Sequence, residues 1–295
     1  MNIENTTGRM GVGVISAGKV GTALGSALRA AGHTVVGAHA ASEASRERLD
    51  AMLPGVPALD VETIVERAEL VILAVPDAEL AGLVSGLAKL GTWQAGQIVV
   101  HTAARFGVEV LAPAAQAGAL TLAIHPAMEF TGTSLDVARL AECRFAVSAP
   151  TVLQPIGLAL VAEMGGEGVV INSADRPLYD AALAHAVAGI QLAAAGAARV
   201  LGIVTGGQLE GDSDAVARPD APVPGDLLRS FAQSALERGL AGRAEVPDDA
   251  AASRHLEALT TLAAESAEVT DVAQAHAAIL DVIGRAAQKP DAECG

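Results

Sequence analysis

The sequence of 295 residues predicts an α/β protein, an N-terminal doubly wound sheet followed by an all-α C-terminal domain. Three observations carry that expectation. Short, continuous apolar runs alternate with helical patterns through the first half, as buried strands and their crossover helices do. Polar residues recur at the carboxyl ends of those runs, the edge of an open α/β sheet where ligands bind. Beyond Asp175 helical periodicity continues with almost no strand signal.

The first strand is read at residues 10–15, emptying into Ser16-Ala17-Gly18-Lys19-Val20-Gly21, which opens a helix from Lys19 to about Ala31. The spacing is that of G-x-G-x-x-G with Ser16 in place of the first glycine. Gly18 allows close backbone approach, and Gly21 allows close packing of helix on strand. Amides at a helix N-terminus with no side chain in the way suit a dinucleotide pyrophosphate. Gly11-Val12-Gly13 repeats part of the motif, but inside the apolar run, so its glycines are strand positions. A cap and turn at Ala31-Gly32-His33 and a second strand at 34–38 complete a βαβ unit.

No acid stands at the end of that second strand, where NAD enzymes hold the ribose 2′-hydroxyl. Ser42, Ser45 and Arg46 follow instead, and hydroxyl and guanidinium donors suit a 2′-phosphate. NADP(H) is therefore expected over NAD(H). The alternative is that Ser42 caps the next helix, with Arg46 and Arg48 on its solvated face.

Further strands are read at 70–75, ended by Pro76-Asp77; at 97–100, ended by His101-Thr102; and at 119–124, ended by His125-Pro126. Shorter ones fall at 144–148 and 168–171. Helices follow at 176–204, 225–240, 248–265 and 269–287. These readings place a dinucleotide-binding domain at 10–172 and a helical domain, for substrate and dimerisation, at 173–290. Residues 205–224, rich in Gly, Asp and Pro, read as a mobile connector or a substrate lid.

Composition narrows the function. Hydrophobic residues make up 51% and aromatic residues 2%, so the core is built from Ala, Val and Leu. A net charge of −15 argues against nucleic acid or an anionic membrane as partner. Two distant cysteines, Cys143 and Cys294, and a polar start with no apolar signal core fit a reducing cytoplasm. Residues 181–198 resemble a membrane span, but their alanine content, His185 and Gln191 favour a buried helix. No spacing of the H-E-x-x-H or C-x-x-C kind marks a metal site, and no G-x-S-x-G elbow occurs.

Five motifs occur in order: Val14-Ile15-Ser16-Ala17-Gly18-Lys19-Val20-Gly21, Ala74-Val75-Pro76-Asp77, Val100-His101-Thr102, Ala123-Ile124-His125-Pro126-Ala127-Met128 and Arg176-Pro177-Leu178-Tyr179. Together they resemble bacterial Rossmann-like proteins with a helical C-terminal domain, in the 6-phosphogluconate dehydrogenase superfamily. Pyrroline-5-carboxylate reductase and ketopantoate reductase are relatives there. The resemblance implies a Rossmann fold and an NAD(P)-dependent oxidoreductase of a small carbonyl or imine compound, dimeric through its helical domain. It seats the coenzyme on Ser16, Ala17, Gly18, Lys19, Val20 and Gly21, with Ser42 and Arg46 at the adenosine phosphate. Val75, Pro76, Asp77, His101 and Thr102 fall on the nicotinamide side. The helical half departs from the family pattern. Its Tyr-His pair stands here as Tyr179-Asp180, and its Asn-His pair as Ala188-Gly189; the His-Thr-Ser-Gly run after the fourth strand is His101-Thr102-Ala103-Ala104. Either the substrate differs or reduction has been lost.

Hydride transfer asks of the protein chiefly placement and a proton donor. The candidates are His125, Tyr179 and His185. His125 stands just past a strand, held extended by Pro126, or pairs locally with a backbone carbonyl. Tyr179 donates its hydroxyl or packs at the domain seam. His185 lies about 120° round the helix from Tyr179, at ~3.6 residues per turn, in apolar surroundings that suit a satisfied core histidine. Lys19 is read as charge pairing at the phosphate turn, and Asp77 either as a group beside the nicotinamide ribose or as a helix N-cap. The leading expectation is a cytoplasmic, homodimeric NADPH-dependent reductase of a small carbonyl or imine. The alternative is a coenzyme-binding protein with an altered pocket, doing non-redox chemistry, sensing or scaffolding.

Overall fold

Alternation along the strands decides which face each side chain serves, and here both faces are covered. The structure, a computed structural model, describes residues 9–205, 224–241 and 248–287. Seven strands form one sheet: β1 (Gly11–Ile15), β2 (Thr34–His39), β3 (Leu70–Leu73), β4 (Ile98–His101), β5 (Leu120–Pro126), β6 (Arg144–Ser148) and β7 (Glu167–Val170). Their order is β2-β1-β3-β4-β5-β6-β7. The first five run parallel; β6 is antiparallel to β5, and β7 is parallel to β6.

The connections carry α1 (Lys19–Ala30), α2 (Glu43–Met52), α3 (Val61–Arg67), α4 (Asp77–Leu90), α5 (Ala112–Gln116), α6 (Leu135–Arg139) and α7 (Gln154–Glu163). On one face Val12, Val14, Ile72, Val100 and Leu122 pack with Leu24, Leu28 and Leu160. On the other, Ile15, Val71, Leu73 and Val99 pack with Ile64, Leu80, Val84 and Trp93. Adjacent residues of β3 thus enter opposite cores, as period-2 side chains of a doubly covered sheet must. The fold is the doubly wound α/β sheet expected, followed by helices: α8 (Arg176–Thr205), α9 (Pro224–Leu240), α10 (Asp249–Glu265) and α11 (Thr270–Ala287).

Two compact units divide at Leu183/Ala184, inside α8. The strand-to-helix change in the sequence comes earlier, at 172, because the first turns of α8 pack into the sheet unit through the buried Arg176. The expected connector at 205–224 falls largely outside the described residues, as do Cys294 and the first eight residues.

One expectation is corrected. Residues 181–195 are not a buried helix: apart from the half-buried Leu183 they are exposed, with Ile190 at 50% and Leu192 at 56%. Alanine raises hydropathy while each residue has little side-chain area to hide, so composition alone does not require cover from the same chain. The helical stretch is long and apolar enough to cross a membrane by length and composition.

Candidate functional site

The turn after β1 is shaped for an anion. Ser16 has φ 79°, the one left-handed non-glycine residue among those described, which is where the usual motif places glycine. A β-carbon on Gly21 would collide with the Ser16 carbonyl and meet Val14 at 2.9 Å, so only glycine lets α1 sit this close to β1. A β-carbon on Gly18 would meet only Ser16 Oγ, at 3.3 Å, a hydroxyl that would have to shift slightly, with nothing else within 4 Å. No side chain caps α1, and its first backbone bond runs from Thr22 N–H to the Gly18 carbonyl, 3.1 Å. The amides of Lys19, Val20 and Gly21 therefore precede the helix's own bonding. Open space, free-facing amides and the positive end of a helix fit a diphosphate.

Basic groups flank this turn. Arg48 on α2 donates from Nη1 to the Ala17 carbonyl at 3.4 Å. The loop between β5 and α6 presses on the same place: Gly132 has Lys19 Cγ and Arg48 Nε about 3 Å from where its β-carbon would lie. Asp136 holds that loop, accepting from the amides of Thr131 and Gly132. Burial pushes its carboxyl up, but those bonds outweigh it and keep the group below the usual carboxylate range. Ser42 is the N-cap of α2, closing a capping box with Ser45; Arg46 is exposed beside them. The cap alternative for Ser42 is thus what the local geometry contains, and Arg48, weighed only as a solvated residue, is the arginine held against the turn after β1.

A second cluster lies at the carboxyl ends of β4 and β5. His125 Nδ1 is 2.9 Å from Tyr179 Oη, the rings meeting edge to face. Beneath them Arg176 is fully buried. Its Nε donates to Ser148 Oγ at 2.8 Å, and its terminal nitrogens to the carbonyls of Ala104, Ala123 and Ala146. None of the ion pairs among the described residues includes it. A buried cation with no counter-ion shapes everything near it. Burial, then the Arg176 charge, pushes His125 down to about 4. Burial pushes the Tyr179 phenol up, with Arg176 opposing. At neutral pH both groups are uncharged. Arg176 and Tyr179, three residues apart, share one face of α8, which the guanidinium's approach to the ring, 5.7 Å, confirms.

His101 is also fully buried, but its nitrogens are engaged: Nε2 with the Gly107 carbonyl at 3.0 Å, Nδ1 accepting from the Ala103 amide at 3.2 Å. Burial pushes it down to about 4, leaving a neutral ring that braces the loop after β4. Asp77 is the first residue of α4 rather than its N-cap, which is Pro76. Its carboxyl is raised by burial, against the pull of Arg105 at 3.9 Å. Val75 is half-buried and Thr102 donates its amide to Leu73. His185 falls in the second unit and is exposed, not a satisfied core histidine. Reading the sequence missed the role of Arg176, although its motif was singled out. The available signal was its place one helical turn before Tyr179.

With this geometry in view, comparisons with known proteins agree on the fold. Residues 2–126 match the Rossmann-like domain family. A Bacteroides fragilis protein provisionally assigned as an NADP oxidoreductase superposes with a TM-score of 0.68 at 17% identity, covering 92% of this chain and 98% of its own. An imine reductase from Myxococcus stipitatus in complex with NADP+ gives 0.62 at 20%, covering 94% of each. A reductive aminase from Aspergillus terreus, in complex with NADPH4, cyclohexanone and allyl amine, gives 0.62 at 17%, covering 95% and 94%. No curated protein sequence matches. The first unit thus has a Rossmann-like fold. More particularly, the chain has its structural neighbours among NADP oxidoreductases and imine reductases, a likeness of fold at these identities.

Proposed function

We propose that the protein is an NADPH-dependent reductase of a small carbonyl or imine compound. The observation that carries this reading is the neutral His125–Tyr179 pair over an uncompensated buried arginine, on the same sheet edge as an uncapped helix N-terminus. Three strand spacings separate β1 from β5, about 14 Å, a span that the nicotinamide half of a dinucleotide must cover along that edge. The amides of Lys19, Val20 and Gly21 would seat the diphosphate, while Arg48 and Arg46 favour a 2′-phosphate, Ser42 being engaged as the cap of α2. Thr102 and Asp77 line the route towards the nicotinamide.

The coenzyme, when bound, supplies the hydride that reduces C=O or C=N and is itself oxidised. Tyr179 delivers the proton to the substrate oxygen or nitrogen. The phenolate left behind faces the Arg176 charge, which was in place before any proton moved. His125, uncharged, fixes the phenolic hydroxyl by its hydrogen bond. We place the enzyme in the cytoplasm, acting on a small molecule rather than nucleic acid or lipid, and as a homodimer that covers the exposed apolar side of α8.

The test is steady-state reduction of a panel of small ketones and cyclic imines with NADPH and NADH. Tyr179→Phe should lower kcat by about 10²-fold or more and leave NADPH affinity unchanged. Because the donor must be protonated, the rate should fall only above the raised phenol pKa, beyond 10, and at the acid end near 4, where His125 charges. A flat profile between about pH 5 and 9 is expected. A rate that falls as pH rises through 6 to 7 would assign the proton to an ordinary imidazolium and remove Tyr179 from the role.

A further inference from the structure

We infer that the proposed reductase site takes a substrate with two polar ends: the carbonyl or imine that is reduced, and a hydroxyl or N–H group that donates to His125 Nε2. The inference rests on the reading of Tyr179 as proton donor and names the class of compound that this reading leaves open. His125 stands near the end of β5, paired with Ala146 of β6. Its half-buried ring is held by the 2.9 Å bond between Nδ1 and Tyr179 Oη and by the edge-to-face contact of the two rings.

The chemistry of this pair decides what Nε2 offers. A phenol that gives its proton to substrate points its O–H at the substrate, so its oxygen accepts from Nδ1–H. A neutral imidazole carries one N–H, and burial with the Arg176 charge keeps this ring neutral. Nε2 therefore keeps its lone pair and can only accept. Among the described residues the hydrogen bonding of the ring is that of Nδ1 alone. Nor is Nε2 shut away. The one buried side-chain nitrogen or oxygen without a partner among those residues is His276 Nε2, so His125 Nε2 is open to solvent. The site thus presents a donor, Tyr179 Oη, and an acceptor, His125 Nε2, at opposite ends of one fixed pair. With that 2.9 Å bond between them and ordinary hydrogen-bond lengths at each end, the two polar atoms of the ligand lie roughly 5–7 Å apart. That is the span across a six-membered ring, not the distance between groups on neighbouring carbons.

The test is steady-state reduction, with NADPH, of cyclohexanone, 4-hydroxycyclohexanone and 4-methoxycyclohexanone. Each is offered alone, as the ketone, and with methylamine, as the imine. The wild type should favour the hydroxy compound over the parent by about fivefold in kcat/KM, the worth of one hydrogen bond, expressed in KM. The methoxy compound, an acceptor without a donor, should do no better than the parent. His125→Asn puts an amide N–H where Nδ1–H stands, so it can keep the bond to Tyr179, but it has no atom at Nε2. It should reduce cyclohexanone with the wild-type kcat and show no preference for the hydroxy compound. Equal efficiency of the wild type towards parent and hydroxy compounds, or a better methoxy compound, overturns the inference and leaves the reductase reading standing; this comparison needs no variant to fold. A preference that survives in His125→Asn overturns it equally. Turnover of none of these compounds by the wild type removes the reductase reading and this inference with it.

Discussion

Ser16 shows how much of the turn after β1 is a matter of one dihedral angle. Its φ of 79° costs an L-residue about 1–2 kcal/mol, and glycine there loses about 0.5–1 kcal/mol through the flexibility of the unfolded chain. Ser16→Gly is therefore expected to raise stability by about 0.5 kcal/mol in denaturant unfolding. Ser16→Val, whose branched side chain tolerates that region far less, should lower it by more than 1 kcal/mol, on the order of the strain cited. Equal stabilities for the two variants would mean that the turn relaxes to another conformation.

At the scale of elements, Arg176 ties α8 to the sheet. It satisfies carbonyls in the middle of β5 and β6, another in the loop after β4, and the hydroxyl of Ser148. Arg176→Met leaves those acceptors buried without their donor and should cost about 3 kcal/mol. A loss under about 1 kcal/mol would mean that water replaces the guanidinium. These contacts also mark the limit of what the chain could be read to say. The strands were legible because runs such as 70–73 are continuously apolar, and the tight turn after β1 was legible because its small residues are adjacent in sequence. The cation's burial was not, because its acceptors lie at 104, 123, 146 and 148 and meet only when β4, β5 and β6 align. The exposure of α8 was hidden for a different reason: an alanine-rich helix reads as apolar whichever way it faces. Asp77 was a matter of one position, since Pro76 takes the cap and moves the acid to the helix's first residue.

For the whole molecule, the exposed apolar residues of the helices ask for a partner. Ile190 and Leu192 on α8, Phe231 and Leu240 on α9, and Val282 on α11 are each at least half exposed. The homodimer we propose would cover such residues on α8. A homodimer is expected in light scattering at micromolar concentration, and Ile190→Glu with Leu192→Lys should shift it towards monomer. A wild-type monomer would contradict the proposed assembly. With the chain acidic overall, at −15, the phosphorylated coenzyme we propose would be drawn by the few cations around the first turn through local placement rather than by net charge.

The most direct measurement is calorimetric titration of NADPH into the wild type and into Gly18→Asp. The space above Gly18 accommodates the new side chain, so the fold should survive with an unchanged melting temperature, while a carboxylate now occupies the place of the diphosphate and repels it. Micromolar binding by the wild type and at least a hundredfold loss in the variant are expected. Binding by neither protein, or equal binding by both, would contradict the claim that the start of α1 seats the coenzyme.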